Sequence, residues 1–234
     1  MNTASHDSQE SHDMLMIKLL VIKDWQIYQK QLAVYVVGLL LGLMLVGMAK
    51  PWSFYVGALL LLVLLICVGG FGIGSSLLNE RKEHTLPFVM SLPVTPMMFY
   101  WSKLIANLVI YLIPFGIVVG GSVFLVLFTP LPDGLLVWSL LIYGFLATIY
   151  FVSLGAALVL ESEGWNLFVQ IGLSTFISPF MMGIGMIDEI GKHIKTENIV
   201  WSLPAIAIFA AQFAVMILVV LVTRWIHRRK TSFL

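Results

Sequence analysis

The sequence predicts an all-α, polytopic membrane protein, and three observations support this fold class. Hydrophobic residues make up 60% of the 234 residues and charged residues only 11%, whereas charged residues make up about a quarter of a soluble domain. The mean hydropathy is +0.99. Six apolar stretches each provide the ~20 residues of helix that cross a bilayer. Together these observations exclude a water-soluble globular enzyme and a disordered chain.

Net charge and cysteine content exclude two further classes. The net charge is +1, so no strong field would attract nucleic acid, and we expect no nucleic-acid partner. The single cysteine, Cys67, lies within an apolar run. This position excludes a disulfide scaffold and a cysteine-based metal site.

Two segments precede the spans. Residues 1–13 are polar and acidic and contain no apolar run of the kind found in a signal peptide, so they predict a disordered cytoplasmic tail. Residues 14–31 place apolar side chains on one helical stripe and lysines and glutamines on the other side. This pattern is typical of an amphipathic helix that lies in the membrane interface. The alternative is a cytoplasmic extension of the first span.

A six-span transmembrane domain is predicted over residues 32–228, followed by a cytoplasmic tail at 229–234. We place the spans at about 32–49, 54–78, 104–128, 135–160, 167–187 and 203–222. Short polar turns with proline or glycine separate several of them. Pro114 and Pro179 predict interruptions of the third and fifth spans, because proline removes a backbone donor and bends a helix.

Lysines and arginines are distributed unequally between the two sides. With an even number of spans both termini lie on one side, which holds ten of the 13 basic residues. Because cytoplasmic loops carry the excess of Lys and Arg, we expect cytoplasmic termini and a multi-pass protein of the cell inner (plasma) membrane. Tryptophan prefers the headgroup level, and the predicted interface anchors are Trp25, Trp52, Trp101, Trp165, Trp201 and Trp225.

No Asp, Glu, Lys, Arg or His falls in the middle of a predicted span. Buried ionisable groups mark proton relays and ion pathways, so the pattern argues against an ion-coupled transporter and against catalysis by this chain. We therefore predict no catalytic residue. Asp188, Glu189 and His193 have loose metal-ligand spacing, but a solvated short helix is the better interpretation, and we predict no metal site.

Three pairs of glycines are separated by three residues. They are Gly38 and Gly42, Gly70 and Gly74, and Gly116 and Gly120. Small residues at this spacing let helix backbones approach closely in a membrane. The approach can occur within one subunit or across a homodimer interface, with packing within one subunit favoured.

The longest predicted cytoplasmic connection joins the second and third spans over residues 79–103. Charged residues stand near its ends, and an apolar turn that includes Phe88 and Val89 lies between them. Thr95 and Pro96 predict a helix start, with Thr as N-cap and Pro in the first helical position. An exposed apolar segment framed by charge is typical of a docking surface. A loop folded back on its own bundle is the alternative.

Four short motifs follow one another in this connection. They are Glu80-Arg81, Thr85-Leu86, Ser91-Leu92-Pro93-Val94-Thr95 and Ser102-Lys103-Leu104. This series resembles the signature of ABC-2 type permeases, the membrane subunits of ATP-binding cassette exporters, although His84 stands where that family usually has Gly. Six spans, an interfacial helix before the first and cytoplasmic termini are also similar to the family. The resemblance covers nearly the whole chain by topology and about 25 residues by motif.

The resemblance implies a permease subunit that moves a hydrophobic or amphipathic substrate out of the cell. Residues Thr85 to Leu92 would form a coupling helix that sits in a cleft of a separate cytoplasmic ATPase. A homodimer of this chain would work with two ATPase copies, which would bind ATP and Mg²⁺, since this chain has no Walker A motif. The coupling residues would be Glu80, Arg81, Glu83, Thr85, Leu86, Phe88, Val89, Leu92 and Lys103, with Glu161 and Glu163 as a candidate second contact.

An alternative function is that of a membrane subunit of an ABC-type complex that transmits force to a periplasmic maturation or assembly partner. The polar segment 188–198, predicted to lie outside, would then bind that partner. An intramembrane enzyme is disfavoured by the lack of Asp, Glu, Lys, Arg and His in the middle of the spans.

Overall fold

A computed structural model describes residues 3–78, 95–160 and 162–229, with side chains described within 14–77, 97–160 and 164–229 and at Thr95 and Ser162. All regular structure in these ranges is helical. In chain order the elements are α1 (Thr3–Gly47), α2 (Pro51–Ile73), a π-helical segment (Gly74–Leu78), α3 (Pro96–Phe128), α4 (Leu135–Val159), α5 (Glu163–Thr175), α6 (Ile177–Met186), α7 (Asp188–Gly191) and α8 (Leu203–Arg229).

The prediction of six membrane spans is confirmed within the described residues. Six helical stretches are long and apolar enough to cross a bilayer, namely Met14–Gly47, Pro51–Leu77, Met97–Phe128, Leu135–Val159, Gly164–Met186 and Leu203–Arg229. The fourth span lies at the centre of the bundle. Half of its most apolar 18-residue stretch is buried by other helices, whereas only 11% of the corresponding stretch is buried in the fifth and in the sixth span.

The first helix is continuous from Thr3 to Gly47. It has no break near residue 31, so the prediction of a separate amphipathic helix at residues 14–31 is not confirmed, and the backbone follows the alternative of an extension of the first span. The helix also runs through residues 3–13, for which the sequence predicts a disordered tail. The physical reason for continuity is the absence of Pro and Gly before Gly38, since these are the residues that most strongly end a helix.

The second span changes its helical geometry at its end. The α-helical part of α2 ends at Ile73, and Gly74–Leu78 forms a π-helix. Single π-turns are rare and frequently occur at functional sites. This π-helix leads directly into the connection at residues 79–94, which lies outside the described residues.

The third helix begins where the sequence predicts a helix start. Thr95 has an extended backbone, its Oγ1 accepts a hydrogen bond from the Met98 N–H at 3.2 Å, and Pro96 is the first helical residue. This is the geometry of an N-cap followed by proline. The helix continues through Pro114 to Phe128. The interruption of the third span that was predicted from Pro114 is therefore wrong.

The fifth span consists of two helices rather than one. Helix α5 ends at Thr175 and α6 begins at Ile177, with Phe176 between them. Pro179 lies four residues after Thr175 and has no N–H to donate to the Thr175 carbonyl. The interruption predicted from Pro179 is therefore confirmed.

Two clusters of buried side chains hold the bundle together. One includes Leu39, Leu61 and Leu141 from the first, second and fourth spans. The other surrounds Tyr111 of α3 and Tyr150 of α4, whose rings stack with centroids 3.8 Å apart. Both clusters contain residues of α1, α2, α3 and α4, so these four helices form the core.

The two ends of the bundle differ. The loop-bearing end carries residues 78 and 95, from which the connection 79–94 leaves. At the opposite, distal end, the turn between α3 and α4 meets the segment after α7, and the Gly134 N–H donates to the Thr196 carbonyl at 3.0 Å. A Cβ at Gly134 would lie 1.7 Å from the His193 carbonyl oxygen, so only glycine allows this approach.

Candidate functional site

A buried ion pair joins the first and third helices at the loop-bearing end. The Lys103 Nζ lies 2.9 Å from the Asp24 Oδ2, and the two side chains are only 5% and 3% exposed. The ammonium of Lys23 lies 3.5 Å from the other carboxylate oxygen of Asp24. Lys and Asp are almost never fully buried unless they are paired. The pair therefore specifies how α1 sits against the start of α3.

Asn107, one turn beyond Lys103, connects three further groups. It is fully buried, and its Nδ2 donates to the Lys103 carbonyl at 2.9 Å and to the Ser76 Oγ at 2.6 Å. The Tyr150 hydroxyl donates to the Asn107 carbonyl at 2.6 Å. Asn107 thus joins α3 both to the π-helical end of the second span and to the central helix α4.

The π-helical end of the second span is also joined to α1. The Tyr28 hydroxyl donates to the Ser75 carbonyl at 2.8 Å, and the Tyr28 ring packs edge-on against Phe71 with centroids 5.7 Å apart. Tyr28 lies one helical turn after Asp24 on the same face of α1. One face of α1 therefore contacts both helical segments that flank the connection 79–94.

The first turns of α3 are held on their other side by α8. The hydroxyls of Tyr100 and Thr223 are 3.0 Å apart, and the Tyr100 ring lies 4.6 Å from the His227 ring. The Arg224 guanidinium lies 5.6 Å from the Trp101 ring, within the range of a cation–π contact. The start of α3 is thereby fixed between α1 and α8.

We call the set Asp24, Tyr28, Ser75, Ser76, Lys103, Asn107 and Tyr150 the polar anchor. Its members come from α1, the π-helix, α3 and α4, and every described contact between them is a hydrogen bond or an ion pair. Hydrogen bonds within a buried polar network favour one arrangement of helices, and here they leave the Asn107 Oδ1 without a hydrogen-bond partner among the described residues. The polar anchor therefore joins the end of the second span and the first turns of α3 to α1 and α4.

Most of the predicted coupling residues lie outside the described residues. Lys103 is the exception, and it lies inside the bundle, paired with Asp24, rather than on the surface. The other residues predicted for coupling lie outside the described residues, namely Glu80, Arg81, Glu83, Thr85, Leu86, Phe88, Val89 and Leu92. Glu161 also lies outside them, and Glu163 is described only as the first residue of α5.

Sequence reasoning missed most of the polar anchor. Asp24 lies three residues after Val21 and four before Tyr28, on the apolar stripe of the helix rather than on its polar face. A single acidic residue on an apolar stripe requires a buried partner, and that was the available signal. For Asn107 the signal is a polar side chain within a span, which indicates an interhelical hydrogen bond, and Asn107 forms one with Ser76. Tyr150 carries no such signal.

The predicted tryptophan anchors differ in their surroundings. Trp52, Trp165 and Trp201 lie within two residues of a helix start, with exposures of 59%, 62% and 37%. Trp25 and Trp101 are half-buried beside the polar anchor, whereas Trp225 is exposed and packs on Arg229. Their positions at the membrane interface stay a prediction.

The distal segment with loose metal-ligand spacing begins with the short helix α7, whose charged side chains are exposed. Asp188 pairs with Lys192 at 3.5 Å, with both side chains largely exposed, and the His193 Nδ1 lies 3.1 Å from the Glu189 carbonyl. Within the described part of the chain no three His, Cys, Asp or Glu side chains gather into a metal-binding group.

The three glycine pairs have different surroundings. A Cβ at Gly38 or Gly42 would lie within 3.0 Å of α2 side chains, so this pair packs the first span on the second. Gly70 faces Gln170 in the same way. At Gly116 and Gly120 a Cβ would meet no atom within 4 Å among the described residues. Packing within one chain therefore explains the first pair but not the third.

Comparison with known proteins gives no relative. No family model, no curated protein and no solved structure matches this chain.

Proposed function

We propose that this chain is the membrane subunit of an ABC-2 type exporter driven by a separate cytoplasmic ATPase. The observation that carries the proposal is the polar anchor, which fastens the helical segments on both sides of the connection 79–94 to the core helices. Lys103 does so through Asp24, and Ser76 does so through Asn107. If an ATPase displaces this connection, the displacement can move the core helices only where the adjoining helical segments are rigidly joined to them. A flexible attachment would absorb the displacement.

The motifs within residues 79–104 resemble the signature of ABC-2 type permeases. They therefore indicate that the driving partner is an ATP-binding cassette ATPase. In the exporter, residues 85–92 dock into the ATPase, and Glu80 and Arg81 form the charged stem of that docking segment. Closure of the ATPase displaces the stem, and the polar anchor carries the displacement into α1, α3 and α4. ATP and Mg²⁺ bind to the ATPase, and this chain supplies the path for a hydrophobic or amphipathic substrate.

The remaining features fit the same arrangement. The excess of Lys and Arg on the loop-bearing side favours a cytoplasmic position for the connection and for both termini, in the inner (plasma) membrane. Two copies of the chain and two ATPases make the complete exporter. The exposed Gly116 and Gly120 give α3 a surface that a second copy can approach closely.

The proposal is tested by placing charge in the docking segment. The double variant Phe88→Asp and Val89→Asp should still insert and purify but should lose co-purification of the ATPase and stimulation of its activity, because buried carboxylates disrupt an apolar contact. The matched control is Ile199→Asp with Val200→Asp, two exposed apolar neighbours at the distal end. Unchanged ATPase binding and stimulation in the first variant would refute the proposal.

A further inference from the structure

A cavity of about 260 Å³ opens near the distal end of the bundle, remote from the polar anchor. It lies between α2 and α4, with α3 behind it. Leu61 and Ile142 form part of its buried wall, and Leu131 covers it from the distal turn. It is larger than the ~150 Å³ apolar cavity that binds benzene in an engineered protein, so it has room for a larger hydrocarbon.

The wall offers few hydrogen-bond partners to water, and among them the Trp138 Nε1–H is a buried donor without a partner among the described residues. A buried water needs roughly three hydrogen-bond partners, but this lining is almost wholly apolar. The hydroxyls of Ser122 and Tyr143 are 2.8 Å apart and already bond to each other. An empty apolar cavity of this size is also costly, since its wall loses contacts that a close-packed interior would make. The wall therefore favours a hydrocarbon occupant.

The cavity has an entrance on the outer surface of the bundle. Tyr55 and Leu59, one helical turn apart on α2, both line it and are 73% and 63% exposed. Tyr55 lies four residues from the start of α2 and Leu62, at the deeper end, eleven residues from it. At ~1.5 Å per residue the cavity extends from about 6 to about 16 Å below the distal helix ends. This is the depth of one leaflet of a hydrocarbon core ~30 Å thick.

We propose that this cavity is a binding site for one acyl chain of a membrane phospholipid in the leaflet at the distal end. An acyl chain is the hydrocarbon available at a lateral entrance in a bilayer, and its direction matches the direction in which the cavity extends. Tyr55 and Trp138 lie near the distal ends of α2 and α4, at the level that amphipathic aromatic side chains prefer. The site requires neither the ATPase nor an exported substrate.

Trp138 lines the cavity and serves as a reporter of its occupant. The variant that keeps Trp138 and replaces the other six tryptophans with Phe is reconstituted into phosphatidylcholine vesicles that contain increasing fractions of phosphatidylcholine with brominated acyl chains. Bromine quenches indole fluorescence on contact. A bound chain should produce a component of quenching that saturates at a low fraction of brominated lipid.

Filling the cavity provides the matched comparison. Ala58 lines the cavity, and Ala58→Phe in the Trp138 background should abolish the saturable component. Ala210→Phe is the control, because Ala58 and Ala210 are each the eighth residue of a helix that starts at the distal end, and Ala210 is exposed. The control should leave the saturable component unchanged.

Quenching that rises in proportion to the brominated fraction throughout, with no saturable component, would overturn the proposal, because it would show contact with bulk lipid alone. This criterion uses the unfilled cavity and holds even where Ala58→Phe fails to fold. A saturable component that persists unchanged in folded Ala58→Phe would also overturn it, since the bound chain would then lie elsewhere.

Discussion

Removal of one partner of the Asp24–Lys103 pair should destabilise the bundle strongly. Both side chains are at most 5% exposed and the charged atoms are 2.9 Å apart, so solvent does little to screen the interaction. At an effective dielectric constant of ~20, two unit charges at this distance attract by about 6 kcal/mol, while burial of each ion costs several kcal/mol. The pair is therefore close to balanced, but a lone buried charge is not.

Lys103→Met leaves the Asp24 carboxylate buried without this partner, and Asp24→Leu leaves the ammonium. Each single variant should lose about 3–5 kcal/mol of stability. For a protein of this size, ~2–4 °C of melting temperature corresponds to each kcal/mol, so we expect the melting temperature to fall by about 6–20 °C. The double variant Asp24→Leu with Lys103→Met should recover most of the loss, because an apolar pair carries no desolvation cost.

The assay is thermal unfolding of the detergent-purified chain, followed by circular dichroism. Lys192→Met is the matched control, since it removes the ammonium of an exposed pair with Asp188 at 3.5 Å, and such pairs contribute little. The reasoning would be refuted by single variants that melt like the wild type. It would equally be refuted by a double variant whose melting temperature falls by the sum of the two single losses.

Three further predictions concern glycine packing, Asn107 and the distal segment. Gly57→Leu should lower the melting temperature, because its Cβ would meet the backbone of Gly42 at 2.8 Å, whereas Gly183→Leu should leave it unchanged, because a Cβ there would meet no described atom within 4 Å; equal losses would contradict the packing. Asn107→Leu should destabilise by about 1–3 kcal/mol in chemical unfolding, since Ser76 loses its donor. Replacement of residues 188–198 by a Gly/Ser linker should leave ATPase stimulation intact; lost maturation of a periplasmic partner with normal substrate efflux would favour the force-transmitting alternative.

The spans and the start of α3 could be predicted because they depend on local chemistry. Hydropathy over ~20 residues reports directly on membrane spans, and the Thr95 cap is formed by residues three apart in sequence. The break before Pro179 follows equally from the missing N–H of one residue. Each of these features is contained within a short segment of chain.

The polar anchor could not be predicted because its contacts are long-range. Asp24 and Lys103 are 79 residues apart, and Asn107 and Tyr150 are 43 apart. Periodicity places such residues on a helix face but does not say which faces meet. Lys103 shows the consequence, because the family resemblance places it among the coupling residues, whereas its side chain is buried against Asp24 of α1.

The continuity of α1 shows a different limit. The apolar stripe at residues 14–31 fits an interfacial helix and a cytoplasmic extension equally well, since both have one apolar face. In the structure only part of that stripe is covered by the bundle, with Tyr28 against Phe71 and Asp24 against Lys103, whereas Met14 is 71% exposed. Tertiary contacts therefore account for the pattern at Asp24 and Tyr28, and not for the whole stripe.

The proposed exporter function requires that the connection 79–94 contacts an ATPase. Site-specific photocrosslinking tests this contact. A benzophenone amino acid is introduced at Phe88, or at Val200 as the distal control, and the cells are irradiated before purification. We expect position 88 to crosslink to a chain that mass spectrometry identifies as carrying a Walker A motif. Position 200 should give no crosslink to that chain. A position 88 that crosslinks only to lipid or to this chain itself would contradict the account.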